Sequence, residues 1–315
     1  MSNPATDPAP SVLRPTITEA YRRIGAKIRR TPLLDLDGVT VKLEFLQHTG
    51  SFKPRGAFNR VLSAGRLPSA GLVTASGGNH GAAVAYVARD LRVPATVFVP
   101  EVTAEAKRAR IASYGATVVV GGAMYDDARR ASEAHAIDHG ALLVHAYDDP
   151  AVVAGQGTVG LELAEQAPDL DTVLVAVGGG GLVGGIAAWY APNPKVHVVA
   201  VEPLSIATLH ASLEAGTIVD VEVSGVAADS LGARRIGRIS YDICRRTRVE
   251  SVLVTDDAIV GAQRRLWEDA RIVAEPGGAT AMAALWSGAY VPRRDERVGV
   301  IVCGANCDPG SVLGR

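Results

Sequence analysis

Gly71-Leu72-Val73-Thr74-Ala75-Ser76-Gly77-Gly78-Asn79-His80-Gly81-Ala82-Ala83-Val84-Ala85-Tyr86-Val87-Ala88-Arg89-Asp90-Leu91 passes from a short apolar block, through a turn of small residues, into a run with helical spacing. Gly71 to Ala75 is too short for a helix and reads as a buried strand, whereas Ala83, Val84, Val87 and Leu91 share one helical face. Val93 to Val99 then reads as a second strand. A strand, a tight turn, a helix and another strand make the crossover unit of a parallel sheet.

The unit recurs on both sides. Downstream, the pattern predicts a helix over Ala104–Tyr114, a strand over Thr117–Val120, a helix over Tyr125–Asp138 and a strand over Leu142–His145. After Pro150 come a helix from Val152 to Gln166, a strand over Thr172–Val177, a helix over Gly181–Trp189 and a strand over Val196–Val201. Ile206–Leu213 and Ala233–Arg245 read as helices. Ser251–Val254 reads as a strand, Asp257–Trp267 as an amphipathic helix, and Val298–Val302 as a last apolar strand, with another helix opening at Glu275-Pro276-Gly277-Gly278-Ala279. Upstream, Thr16-Ile17-Thr18-Glu19 has the form of a capping box for a helix to about Ile28, and Val39–Phe45 reads as a strand. The expectation is an α/β fold with two parallel-sheet layers and a boundary near Asp148-Asp149-Pro150.

The chain has 315 residues, 48% hydrophobic and 21% charged, with a net charge of −1. That balance offers no basic field for nucleic acid or an anionic membrane and favours a small-molecule substrate. Three cysteines, Cys244, Cys303 and Cys307, are an odd number without framework spacing, which fits a reducing cytoplasm. The polar, proline-rich first ten residues read as a disordered tail without a signal peptide. Between Asp171 and Lys195 no residue is charged, but Gly178 to Gly181 interrupt the stretch, so it reads as strand, loop and helix rather than a membrane span.

Four places can carry chemistry. Thr49-Gly50-Ser51-Phe52-Lys53-Pro54-Arg55-Gly56-Ala57 sets Lys53 at the start of a helix, whose positive end lowers an amine's pKa; in a closed site such an amine forms Schiff bases. Gly178-Gly179-Gly180-Gly181-Leu182 puts backbone N–H groups at a helix N-terminus, a phosphate site. Gly179, Gly181 and Gly184 also satisfy G-x-G-x-x-G, with Glu202 ending the next strand, so a nicotinamide (NAD) oxidoreductase competes. Ser76-Gly77-Gly78-Asn79-His80 offers donors for a carboxylate, although an ordinary helix cap reads equally well. Cys303-Gly304-Ala305-Asn306 follows the last strand, where parallel sheets hold ligands, although a buried structural cysteine is the commoner fate.

In this order, SFKPRGA, SGGNHG, GGGGL, AEPGGA and CGAN resemble the serine/threonine dehydratase and serine racemase family, fold-type II enzymes dependent on pyridoxal 5′-phosphate. The resemblance runs from about Ile17 to Asp308. It implies a large domain of residues 1–70 and 149–315, a small domain of 71–148, and a homodimer. It implies that Lys53 holds the cofactor and moves the α-proton, with Phe52 against the pyridine ring and Asn79 on the 3′-oxygen. Gly178, Gly179, Gly180, Gly181 and Leu182 would hold the phosphate, Glu275 would border the cofactor, and Cys303 would face the ring nitrogen. Ser76, Gly77, Gly78, Asn79 and His80 would hold the substrate carboxylate. The implied reaction is β-elimination from L-serine or L-threonine to a 2-oxo acid and ammonia; racemisation and β-replacement are the alternatives within the fold. Racemases of the family carry a serine where Gly77 stands. They also bind a divalent ion through two acids, of which Glu202 matches one and Thr208 replaces the other; no metal is expected. The chain stops at Arg315, without the regulatory domain that biosynthetic threonine dehydratases append.

Overall fold

The computed structural model describes residues 12–312. Ten strands run in chain order: β1 Leu33–Leu36, β2 Val39–Lys42, β3 Leu72–Ala75, β4 Ala95–Val99, β5 Thr117–Val120, β6 Leu142–Leu143, β7 Thr172–Ala176, β8 His197–Pro203, β9 Glu250–Val254 and β10 Val298–Ile301. They form one sheet in the order β1-β2-β10-β7-β8-β9 and another in the order β5-β4-β3-β6. Every pairing is parallel except β1 with β2.

The one antiparallel pair departs from the expected all-parallel order. Its cause is local: Asp37 (φ 54°) and Gly38 (φ 81°) form a two-residue hairpin turn, and Asp-Gly is among the few dipeptides that accept positive φ twice. The strand expected to reach Phe45 ends at Lys42, and Glu44–Leu46 coils into a 3-10 turn.

Other boundaries also shift. The first helix is Arg14–Ile24 and begins ahead of the expected capping box, because Pro15 is tolerated in a first turn. Thr16 is its third helical residue; its hydroxyl accepts from Leu13 N–H at 3.1 Å. Ala233–Gly237 is not helical: Arg234 gives its carbonyl to Val221 N–H (2.8 Å), and the helix starts only at Arg238. The proline-rich tail lies outside the described residues.

Two apolar cores follow the two sheets. Val173–Val177, Val198–Val201 and Val298–Val302 centre one; Leu72, Val84, Val87 and Val97 centre the other. The helix Lys53–Ser63 lies on the seam, since its Ala57, Phe58 and Val61 join the second core. A buried charge network holds its other side. Arg55 donates to both oxygens of Glu44 (2.8 and 2.8 Å) and both of Glu162 (2.8 and 2.8 Å). Lys42 donates to Glu162, Thr31 O and Gln166 at 2.7–2.8 Å. Lys53 is thus the first residue of a helix fixed from behind. Among the described residues, no helix is long and apolar enough to cross a membrane.

Candidate active site

Lys53 stands where the two sheets' loops meet. The segment before it is stitched to the loop after β10: Phe52 N–H donates to Cys303 O (3.2 Å), Ser51 bridges Gly304, and Ala305 N–H donates to Gly50 O (3.0 Å). Its amine donates to Ala146 O at 3.0 Å, in the loop after β6. Nζ lies 5.2 Å from the centre of the Phe52 ring. Burial pushes the amine down to about 8, against the opposing pull of Cys303 and Glu275. The direction matches the sequence reading, but burial rather than the helix terminus is the largest cause.

Cys303, whose carbonyl takes the Phe52 N–H, is buried and gives its thiol hydrogen to Gly277 O (3.4 Å). Burial pushes the thiol well above its usual range, so it stays neutral. Glu275 is also buried, and burial pushes its carboxyl up to about 7 despite a hydrogen bond from Asn79 Nδ2 (2.6 Å). Gly304 makes room for it, because a Cβ there would lie 1.9 Å from Glu275 Oε1.

The Ser76–His80 turn follows β3. Asn79 and His80 open the helix Asn79–Leu91, so their N–H groups have no intrahelical acceptor. Ser76 spends its backbone N–H on Phe98 O (3.1 Å), while its hydroxyl accepts from Gly78 N–H (3.2 Å) and keeps its own hydrogen to donate. The His80 ring turns away, its Nε2 donating to Val144 O (2.9 Å), and burial pushes its pKa down to about 3. At Gly77 a side chain would meet Thr103, whose Cγ2 and Oγ1 lie 2.6 and 2.7 Å from the Cβ position.

The glycine turn follows β7. Gly180 has φ 86° and caps the helix Gly181–Tyr190. Gly179 carries Tyr147 against it: a Cβ would fall 2.4 Å from the ring. Gly178 O accepts from Thr208 (2.7 Å) and Gly179 O from Gly237 N–H (3.0 Å), so these carbonyls are spent, whereas the N–H groups of Gly178 to Gly181 have no acceptor among the described residues. Ser240, buried beside Gly180 and Gly184, has a hydroxyl without a partner among the described residues.

Glu202 is elsewhere. Its two oxygens accept from Leu209 N–H (2.8 Å) and His210 N–H (2.8 Å), which caps the helix Thr208–Ala215, and the Thr208 hydroxyl, whose hydrogen goes to Gly178 O, lies 3.2 Å from Oε1. Burial pushes its carboxyl up to about 7.

The sequence reading passed over Ser240, Thr103, Arg110 and the network around Arg55. Each is defined by a contact across a hundred residues or so, or by a neighbour's missing side chain, which no local pattern encodes. One signal was legible: the stretch Val144–Gly157 supplies Ala146 and Tyr147 directly before a proline-initiated helix, a usual place for site loops in parallel sheets.

Residues 24–304 match the family model described as pyridoxal-phosphate dependent enzyme. The chain is 41% identical over 279 residues to an L-threonine ammonia-lyase of Geobacter sulfurreducens, covering 85% of this chain and 69% of the relative. Among solved structures it superposes on a T.th. threonine deaminase with a TM-score of 0.87, 37% identity, and 95% and 99% of the two chains covered. A maize serine racemase superposes with a TM-score of 0.89, 31% identity and 96% of each chain.

Proposed function

The chain belongs to the pyridoxal-phosphate dependent enzymes, and on that premise we propose that it is a dehydratase (ammonia-lyase) of L-threonine and L-serine. The reading rests on one pairing: an amine at Lys53 that burial brings near neutrality, beside a Cys303 thiol that burial keeps uncharged. The residues present fit the cofactor. The glycine turn has N–H groups without an acceptor among the described residues, a Cβ at Gly178, Gly179 or Gly180 would collide with its neighbours, and an unpartnered buried hydroxyl at Ser240 lies beside it. Gly178 to Gly181 and Leu182 would hold the phosphate, Phe52 the ring face, Asn79 the 3′-oxygen, Cys303 the ring nitrogen, and Glu275 would border the site through Asn79. Ser76 by its hydroxyl, with Gly77, Asn79 and His80 by backbone N–H, would hold the substrate carboxylate, and Gly78, whose N–H goes to the Ser76 hydroxyl oxygen, would fix that hydroxyl.

When bound, pyridoxal phosphate supplies an electron sink that makes the substrate's α-proton acidic. Lys53 accepts that proton, and Ala146 O orients its amine beforehand. A neutral thiol at Cys303 does not hold the ring nitrogen protonated, which weakens the sink and favours prompt loss of a β-hydroxyl over return of the α-proton. The enamine released hydrolyses to a 2-oxo acid and ammonia. The nicotinamide reading of Gly179, Gly181 and Gly184 gives way to the family. Glu202 faces Leu209 N–H, His210 N–H and the Thr208 hydroxyl rather than a second carboxylate, which supports a site without a metal, so chelation is expected to leave activity unchanged.

The membership of the two sheets supports a large domain of 1–70 with 149–315 and a small one of 71–148, with the helix Lys53–Ser63 as their seam. A homodimer in the cytoplasm completes the reading. The test is direct: with pyridoxal phosphate and L-threonine the protein forms 2-oxo acid and ammonia in equal amounts, and Lys53→Ala does not. Protein that neither retains the cofactor nor releases a 2-oxo acid from any β-hydroxy L-amino acid refutes it.

A further inference from the structure

Four side chains form an unbroken row beside the cleft. Arg110 donates to Asn306 Oδ1 (2.5 Å) and to Thr49 O (2.9 Å). Asn306 Nδ2 donates to Thr49 O (2.8 Å) and to Asn79 Oδ1 (2.5 Å). Asn79 Nδ2 donates to Glu275 Oε1 (2.6 Å). Gly77, Gly78, Ala82, Lys107, Ile111 and Asp229 complete the walls of the pocket they share.

An asparagine amide has two chemically opposite ends, and which end faces which way is set by its partners. Here both ends of the row are decided. A guanidinium only donates, so Asn306 must turn its oxygen to Arg110 and its NH2 group to Thr49 O and Asn79. Asn79 must then turn its oxygen to Asn306 and its NH2 group to Glu275, whose Oε1 accepts whether or not the other oxygen carries a proton. One N–H of Asn79 remains.

We infer that Arg110 and Asn306 are positioning residues that fix the polarity of Asn79, so that its remaining N–H, and not its carbonyl, is offered to the bound cofactor. This rests on the reading of Asn79 as a contact of the cofactor's 3′-oxygen. The row also ties elements of both sheets: Arg110 and Asn79 come from helices beside β3–β5, and Asn306, Thr49 and Glu275 from segments beside the other sheet. The orientation of Asn79 is therefore set by groups from both sheets' surroundings.

Asn306→Asp tests the polarity. The carboxylate still pairs with Arg110 but can only accept, so Asn79 has to reverse and present its oxygen to the cofactor. The expected result is a tenfold or greater rise in the dissociation constant for pyridoxal phosphate, followed by its absorbance, and a kcat for L-threonine reduced tenfold or more. KM changes little, and the melting temperature stays close to wild type. Arg110→Gln, whose amide can accept as well as donate, loses part of the same affinity, and Arg110→Lys, donor-only again, recovers most of what Arg110→Gln loses. This pair carries the test if Asn306→Asp does not fold. Unchanged cofactor affinity and kcat in Asn306→Asp, or a loss confined to melting temperature, overturns the inference. Equal behaviour of Arg110→Lys and Arg110→Gln overturns it too. Failure of the wild type to bind pyridoxal phosphate sinks instead the functional reading on which it stands.

Discussion

Arg55 and Glu162 meet through two parallel N–H···O bonds, both 2.8 Å, and neither side chain reaches solvent. Glu44 takes the other flank of the guanidinium and Lys42 shares Glu162, so two cations and two anions cancel inside the protein. Such a network returns little net stability, because desolvation offsets the attraction, but removing one member strands the others. Arg55→Met is therefore expected to cost about 3–5 kcal/mol of unfolding free energy. Urea denaturation measures it. A variant within about 1 kcal/mol of wild type would mean that water or protons reach Glu44 and Glu162, and that the helix behind Lys53 is held by its apolar contacts alone.

The network also marks the limit of what the sequence could tell. Alternation of apolar blocks with helical stretches located every strand from β3 to β10: β3, β7, β8 and β10 are continuous apolar runs because both their faces are buried, and β5, largely exposed, was marked by its β-branched residues. Asp37-Gly38 is a hairpin signal in the sequence, but the strand pattern marks only Val39–Phe45, and the short strand Leu33–Leu36 that pairs with it, right after the break at Thr31-Pro32, goes unmarked. The turns Ser76–His80 and Gly178–Gly181 were visible as glycine-rich strand ends. Which of their N–H groups are free was not visible: Ser76 spends its own on Phe98, a residue of the neighbouring strand. Arg55 looked like any residue of a helix start, because its partners lie 11 and 107 positions away.

Gly180 is the position in the glycine turn with the least room for change. With φ 86° it already stands where L-residues are strained, and a Cβ would lie 2.3 Å from Ile236 Cδ1 and 2.9 Å from Ser240 Cβ. Gly180→Asp adds a carboxylate beside the expected phosphate. Its affinity for pyridoxal phosphate is expected to fall at least ~10-fold from charge repulsion and lost space, and backbone strain separately costs about 1 kcal/mol of folding stability. Spectrophotometric titration decides it, and unchanged affinity would place the phosphate elsewhere.

Glu275 predicts a pH dependence of stability. Its folded-state pKa, about 7, lies above the ordinary 4.5 because burial disfavours the anion. As pH rises the unfolded chain gives up this proton first, so the contribution is complete below about 4.5 and is lost on passing through about 7. Glu275→Gln lacks that proton. The wild type should thus lose stability relative to the variant between pH 5 and 8, by up to roughly 3 kcal/mol. Above that window Lys53, lowered to about 8, acts with the opposite sign, and its contribution grows toward 10.5. Melting curves of the two proteins at matched ionic strength give the difference; a gap that does not move with pH would show that Glu275 is ionised throughout.

Stereochemical outcome turns on Gly77 and Thr103. Racemisation needs a proton donor on each face of the substrate's Cα, and Lys53 serves one of them. Gly77 has no side chain, and the space a side chain would take is filled by Thr103, whose methyl and hydroxyl stand 2.6 and 2.7 Å from the Cβ position. With L-serine, the 2-oxo acid is expected to accumulate while D-serine stays a trace product. Gly77→Ser alone drives its Cβ into Thr103, so the informative variant is the pair Gly77→Ser with Thr103→Ala, which opens the room. In deuterated buffer that pair should raise deuterium at the α-carbon of unreacted serine relative to elimination. Chiral chromatography, mass spectrometry and a keto-acid assay on one reaction mixture read all three quantities. No rise in exchange from a folded double variant would mean that position 77 does not face Cα. Wild-type enzyme making D-serine as fast as pyruvate would mean that a second donor is already in place, and the Thr103 hydroxyl would be the first group to remove.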